Sequence, residues 1–361
     1  MTEQIRLLIS RLAGGERLSR SEFQTLIEER DEESTALLRR HAVETRHRYF
    51  GRDVYIRGLV EVSSICKNDC YYCGIRASNR HAVRYRLDED QILSCCDLGY
   101  ELGLRTFVLQ GGEDGYFTDE RLCRLIERLK ESHPDCAITL SLGERSRESY
   151  ALLKAAGADR YLLRHETADE THYAALHPAP LTLENRMRCL HDLRQLGYQV
   201  GCGFMVGSPG QTPWHLSKDL EFIASFRPEM CGIGPFLPHH ATPFASHSAG
   251  SADLTCYLLS ILRLIHPPML LPSTTALSTL CEDGREQGIL SGANVVMPNL
   301  SPADVRAHYE LYDGKKHSGA EAVCGLDELS RRMEAIGYRT VTARGDFNPH
   351  PQNEASIRQK G

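Results

Sequence analysis

The sequence predicts a (β/α)8 barrel of the TIM type with a helical extension at its amino end. Two observations point there. From residue 54 onward, strand-like apolar runs alternate with amphipathic stretches, and eight such runs follow one another, the number at which a parallel sheet closes on itself. The endings Leu102-Gly103, Ala156-Gly157 and Leu196-Gly197 place glycine where helix C-caps need it. An open doubly wound sheet would need a phosphate-binding glycine fingerprint. Gly201-Cys202-Gly203 is followed by Phe204-Met205-Val206 and lacks the third glycine.

Taken in order, residues 1–50 read as a helical extension. Ile5, Leu8, Ile9 and Leu12 recur at helical spacing, and Gly14-Gly15 ends that helix. Ser19 and Glu22 fit a capping box for a second helix through Phe23, Leu26 and Ile27, and a third is expected over 34–49, stopped by Gly51. Residues 51–340 form the barrel. Its strands are expected at 54–62, 106–110, 137–142, 160–164, 199–206, 230–236, 269–272 and 294–297. Helices are expected at 88–102, 119–132, 146–156, 183–196, 213–225 and 253–265. The polar stretch 341–361, with Asn348-Pro349-His350-Pro351, is expected to be a flexible tail.

Apolar content of 41% and a charged content of 25% are those of a soluble globular chain. A formal charge of −6 argues against a nucleic-acid-coating surface. The 13 cysteines are scattered through strand and helix patterns, which fits a reduced compartment better than a secreted disulfide framework. Residues 1–11 lack a signal-peptide pattern and no window nears eighteen uninterrupted apolar residues, so a cytoplasmic, membrane-free protein is expected.

The chemistry centres on Cys66-Lys67-Asn68-Asp69-Cys70-Tyr71-Tyr72-Cys73, directly after the first strand. Thiolates are soft ligands suited to iron–sulfur clusters and zinc. Chance would give about 0.02 occurrences of this spacing at this cysteine content. Three thiolates leave one iron of a four-iron cluster open to a small molecule, whereas a structural zinc site wants four protein ligands. His81 keeps zinc open as an alternative. Barrel active sites gather at the carboxyl ends of strands. The second strand ends in Gly111-Gly112-Glu113, where glycine admits close backbone approach and the acid can take a cation. Thr139 and Ser141 share one face of the third strand; Arg160, Arg164 and Glu166 share one face of the fourth. Such charge inside a barrel calls for a bound partner. Arg186 supplies another cation suited to carboxylates.

The cysteine loop, with an aromatic before its last cysteine, resembles the signature of the radical S-adenosylmethionine (radical SAM) superfamily. The runs 164–167, 232–236 and 294–299, supported by 206–212 and 274–276, resemble the HydE family of FeFe-hydrogenase maturases, over nearly the whole chain to about Tyr338. The resemblance implies one 4Fe-4S cluster on Cys66, Cys70 and Cys73, with S-adenosylmethionine chelating the remaining iron. It implies Glu166 on the ribose of that cofactor and Arg186 on its carboxylate. Gly111, Gly112, Glu113 and Ser141 would line the same pocket, and the Val206 backbone would meet the adenine. Reductive cleavage would release a 5′-deoxyadenosyl radical. Deeper in the barrel, Thr139, Arg160, Arg164, Thr274, Thr275, Met297 and Tyr309 would surround the substrate. That substrate is implied to be an iron–cysteine synthon carrying carbon monoxide and cyanide, and the partners to be the other hydrogenase maturases and an electron donor. Some members carry three further cysteines near the carboxyl end for an auxiliary cluster. Here the stretch 313–326 has only Cys324, so no auxiliary cluster is expected. Methylornithine synthase and biotin synthase share the wider architecture, which leaves a mutase or sulfur-inserting enzyme as the alternative. A scaffold that stores an iron complex without radical chemistry is the reading from another class.

Overall fold

The computed structural model describes residues 1–317, 319 and 322–351. Ten strand segments of the barrel and its mouth are β1 (Asp53–Ile56), β2 (Gly58–Ser63), β3 (Thr106–Gly111), β4 (Ala137–Ser141), β5 (Arg160–Leu162), β6 (Gln199–Cys202), β7 (Met205–Val206), β8 (Met230–Cys231), β9 (Gly234–Pro235) and β10 (Val295–Val296). Six of them make one parallel sheet in the order β2-β3-β4-β5-β6-β8. Closure comes from single bridges. Met230 pairs with Leu270, Pro272 with Val295 and Leu59 with Asn299, all parallel, while β1 pairs with β10. The eight-stranded barrel is therefore complete.

Three expected strands are interrupted. The run 54–62 is two strands, because β1 pairs with β10 and β2 with β3, while Arg57 between them still donates its N–H to the Val296 carbonyl at 2.9 Å. The runs 199–206 and 230–236 break at Gly203 and at Gly232, which face each other across the two strands. Gly203 has φ of +154°, and a Cβ there would lie 2.0 Å from the Gly232 carbonyl oxygen. These breaks let β7 and β9 pair with each other at the mouth.

The extension folds as α1 (Glu3–Ala13), α2 (Arg20–Glu28) and α3 (Glu32–Phe50). Ile5, Leu8, Ile9 and Leu12 are buried, and the Ser19–Glu22 capping box is formed. The third helix starts earlier than expected, because Asp31 caps it and Ser34 returns the bond to the Asp31 main chain. The helices outside the barrel include α4 (Glu89–Glu101), α5 (Asp119–Ser132), α6 (Arg147–Ala155), α7 (Glu170–Leu176), α8 (Leu183–Gln195), α9 (Pro213–Phe226) and α10 (Ala252–Ile265). The extension docks on α9 and α10, with the Tyr257 hydroxyl donating to the Leu26 carbonyl at 2.8 Å.

Buried arginines finish the lower rim. Arg46 of α3 donates to the carbonyls of Ala293 (3.0 Å), Gly51 and Asp53 (2.6 Å each). Arg263 of α10 does the same for Gly292 (2.9 Å) and Met269 (2.7 Å). Carbonyls at strand starts would otherwise be orphaned in the core. The stretch expected as a free tail is anchored in its described part. β11 (Arg339–Val341) pairs with β1, and Arg160 reaches Asp346 at 2.7 Å and the Arg344 carbonyl at 2.9 Å. A buried guanidinium demands a counter-charge, and residue 346 supplies it. Residues 352–361 of that expected tail lie outside the described residues.

Candidate active site

The cysteine loop leaves β2 at Ser63 and is held from below by Asp114. That carboxylate accepts from the Ser63 hydroxyl at 2.7 Å and from Arg86 through two bonds of 2.7 Å. The glycine turn after β3 lies flat against the loop: Gly112 N–H donates to Ser63 O at 3.0 Å, and Lys67 N–H to Glu113 O at 3.0 Å. A Cβ at Gly112 would stand 2.3 Å from the Ile65 oxygen and 2.8 Å from Cys66 Cβ. Only glycine permits that approach. Gly74 does the same on the far side, where a Cβ would meet the Glu310 oxygen at 2.2 Å and the His239 ring at 2.3 Å.

The three thiols converge and are half-buried. Burial, reinforced by the neighbouring sulfurs, pushes Cys70 well up, and burial pushes Cys73 up to about 12. Burial raises Cys66 as well. Such sulfurs become thiolates when a cationic metal centre replaces their protons. Main-chain N–H groups already face them: Glu113 N–H lies 3.3 Å from Cys66 Sγ, with Asn68 also on Cys66 and Ile75 on Cys73. Three convergent sulfurs with amide donors around them fit an iron–sulfur cluster. Tyr72, between the last two cysteines, is fixed by His177: its hydroxyl lies 3.2 Å from Nε2, while Nδ1 bonds the Tyr173 carbonyl at 2.9 Å.

Around the loop stand the ends of β3, β4 and β5. Glu113 takes Lys67 at 3.2 Å and accepts from Glu144 N–H at 3.0 Å. Beside it opens a polar recess of about 430 Å³ lined by Lys67, Glu113, Asp114, Glu144 and Arg145. Gly111 and Ser141 close their strands half-exposed, in register with Ser63 and Gln110. Glu166 is buried and has φ of +65°, a left-handed conformation that costs a non-glycine residue about 1–3 kcal/mol. Its Oε2 lies 3.0 Å from an Arg164 nitrogen, yet neither atom is aligned for a hydrogen bond. A strained acid and a cation with unsatisfied atoms face the same space. Arg186 is buried too, with Nε on Glu144 at 2.5 Å and Nη1 on the Arg164 carbonyl. Val206 ends β7, and its carbonyl accepts from Phe236 N–H at 2.8 Å.

Inside the barrel a cavity of about 20 Å³, room for one water, is lined by Arg57, Thr139, Leu162, Met230 and Met297 among others. Thr139 Oγ1 and Thr274 Oγ1 are buried without hydrogen-bond partners. Thr274 caps the short helix opened by Thr275, and Tyr309 is buried with its ring beneath the Lys315 ammonium at 4.8 Å. That ammonium pairs with fully buried Glu61, itself bonded to Asn299 Nδ2 at 2.7 Å. Arg160 is set apart from this group. Its Nη1 bonds Thr106 Oγ1 at 3.1 Å and its Nη2 turns to Asp346 at the base.

Sequence reasoning passed over Arg57. Its guanidinium is buried, contacts Met230 Sδ at 3.1 Å, leaves Nε unpaired, and has no carboxylate within ion-pair reach among the described residues. The available signal was a charge inside a largely apolar run, 54–62, which also holds Glu61. Glu61 was missed for the same reason.

His81, the possible fourth zinc ligand, is exposed. A different group, His239, His240 and Asp313, has ligand atoms within 4.8 Å of one another. Ala241 N–H donates to Nδ1 of His239 at 3.0 Å, which places the proton of the neutral ring on Nε2. Asp313 in turn accepts from His240 N–H (2.8 Å) and lies 2.7 Å from its Nδ1. The group is a clasp holding the 310–313 segment over the mouth, with Gly74 N–H on the Leu311 carbonyl at 2.8 Å.

Comparison with known proteins agrees with this geometry. The profile of the Radical SAM superfamily matches residues 60–223. The [FeFe] hydrogenase maturase subunit HydE of Thermotoga maritima is 43% identical over 274 residues, covering 76% of this chain and 78% of that protein. A 3-methylornithine synthase of Methanosarcina acetivorans is 27% identical over 360 residues, covering 98% and 96%. Among solved structures, methylornithine synthase (PylB) superimposes with a TM-score of 0.80 at 24% identity, over 98% of this chain and 99% of that one. The FeFe-hydrogenase maturase HydG from Carboxydothermus hydrogenoformans gives 0.76 at 18%, over 94% and 80%. With its cysteine loop at the mouth of a closed parallel barrel, the chain belongs to the radical SAM superfamily and is a radical SAM enzyme using a 4Fe-4S cluster and S-adenosylmethionine.

Proposed function

We propose that this enzyme acts in hydrogenase maturation as a HydE-type protein, on an iron–cysteine synthon carrying carbon monoxide and cyanide held inside the barrel. The observation that carries the reading is the 43% identity to HydE across more than three quarters of both chains, against 27% for the methylornithine synthase. Cys66, Cys70 and Cys73 would hold the cluster, which with S-adenosylmethionine bound would supply a 5′-deoxyadenosyl radical.

The chain's own residues do the rest. Glu166 and Arg164 present unsatisfied polar atoms to the nucleoside side, with Ser141 and the Gly111-Gly112 turn beside them. Glu113 and Arg186 flank the zwitterionic end, and Val206 lies under the base. Lower down, Arg57, Thr139 and Thr274 offer a cation and two free hydroxyls to an anionic guest, with Thr275 and Tyr309 above. Met230 and Met297 line the small cavity and can swing aside as the guest enters. Arg160 acts from the floor, where Asp346 fixes it. The remaining maturases would supply and take up the guest, and an electron donor would reduce the cluster.

The methylornithine synthase matches over 98% of this chain, which favours a mutase on a basic amino acid as the second reading. Anaerobic reconstituted enzyme is incubated with the synthon and, separately, with basic amino acids, and 5′-deoxyadenosine is quantified. We expect synthon-dependent formation. Formation driven by a basic amino acid alone would replace the first reading by the second.

A further inference from the structure

The cations around the cysteine loop are, with one exception, neutralised locally or exposed. Lys67 pairs with Glu113, Arg76 with Asp69, Arg86 with Asp114, Arg164 with Glu166 and Arg186 with Glu144. Arg80 is exposed. Arg84 differs: it is half-buried and has no carboxylate within ion-pair reach among the described residues. Its guanidinium donates to main-chain carbonyls alone. Nη1 reaches Ser64 O at 2.6 Å and Ile75 O at 2.8 Å; Nη2 reaches Arg76 O at 2.7 Å and Asn79 O at 3.1 Å.

These carbonyls come from both ends of the loop, so one side chain ties residue 64 to residues 75–79 across the three cysteines. Turning carbonyls toward the arginine leaves amide groups for the other side. Ile75 shows both halves, its C=O on Arg84 and its N–H on the Cys73 sulfur. The guanidinium sits within the span of the loop, on the carbonyl of Ser64, two residues before Cys66, and on that of Ile75, two residues after Cys73.

We propose that Arg84 is a positioning residue for the cluster: it folds the cysteine loop around its guanidinium and leaves an uncompensated positive charge beside the sulfurs, which raises the reduction potential of the bound centre. Net charge and hydrogen bonds to sulfur are two of the levers by which a protein sets that potential. The proposal rests on the superfamily's cluster and not on the barrel guest, so it is tested without substrate.

Reconstituted wild type, Arg84→Met and Arg84→Lys are titrated anaerobically with the reduced cluster read by electron paramagnetic resonance, and iron loss to a chelator is timed. Arg84→Met is expected to lower the reduced-to-oxidised ratio at fixed potential about tenfold, roughly 59 mV for one electron. Arg84→Lys keeps the charge but not the four-way fork, so its midpoint is expected to stay near wild type while iron is lost several-fold faster. An unmoved midpoint in fully loaded Arg84→Met would overturn the proposal. So would a lysine variant whose midpoint falls as far as the methionine variant's, or whose iron loss is unchanged. Where Arg84→Met does not hold a cluster, the lysine variant decides alone.

Discussion

One methyl group separates Gly112 from collision with the cysteine loop. Alanine there must displace main chain at Ile65, and backbone cannot yield as a flexible side chain does. We expect Gly112→Ala to bind several-fold less iron after reconstitution, with its folding otherwise intact by circular dichroism. Glu166 is different, because it is already strained and incompletely bonded. Glu166→Gln should weaken S-adenosylmethionine about tenfold, the cost of one charge-assisted hydrogen bond, as measured by the cofactor-induced change in the cluster spectrum. At this scale the cysteines were legible, since ligand spacing is local. Arg57 and Arg84 were not. Their partners are a sulfur and carbonyls that only folding brings near, and a sequence announces no carbonyl.

Between residue and barrel, the end of α7 carries a buried histidine that makes stability depend on pH. His177 follows that helix, stacks on Tyr173 with ring centroids 3.9 Å apart, and accepts from Tyr72 in the cysteine loop. Burial holds its imidazolium form off, with the folded value lowered to about 3 from an ordinary 6.5. In the unfolded chain the ring protonates below pH 6.5 while the folded protein excludes that proton. Stability is therefore fully present above pH 6.5 and declines as pH falls toward 3, by at most about 1.4 kcal/mol per pH unit for this one group. Denaturation midpoints of the apoprotein between pH 7 and 4 should show His177→Gln with the shallower slope. Element existence was largely readable from period and caps, as in the Ser19–Glu22 box. The split of 54–62 into β1 and β2 was not, because an apolar run says nothing of which neighbour each half will find.

The alternation that predicted eight units did predict the closed barrel, since parallel strands with crossover helices have few other solutions. Its closure through single bridges near residues 270–272 was hidden, because short ladders leave little periodic trace. The end of the chain misled in the same way: its polar composition concealed the counter-charge at Asp346. Asp346→Ala should cost about 2 kcal/mol, less than a fully buried pair because this carboxylate is partly exposed, and Asp346→Asn less, by chemical denaturation. Fully reconstituted enzyme should carry about four irons per chain, as one cubane requires; a clearly larger number by iron analysis would show a second centre.

Arg160, Asp346 and the 344–347 segment stopper the lower end of the cylinder. The chamber is then a sock rather than a sleeve. A guest of the kind proposed, lodged at the toe, would have to slip past the mouth before S-adenosylmethionine bound there, and would have to wait for its fragments to leave. Traffic would then be last in, first out, and a radical formed at the mouth would have no back door through which to escape.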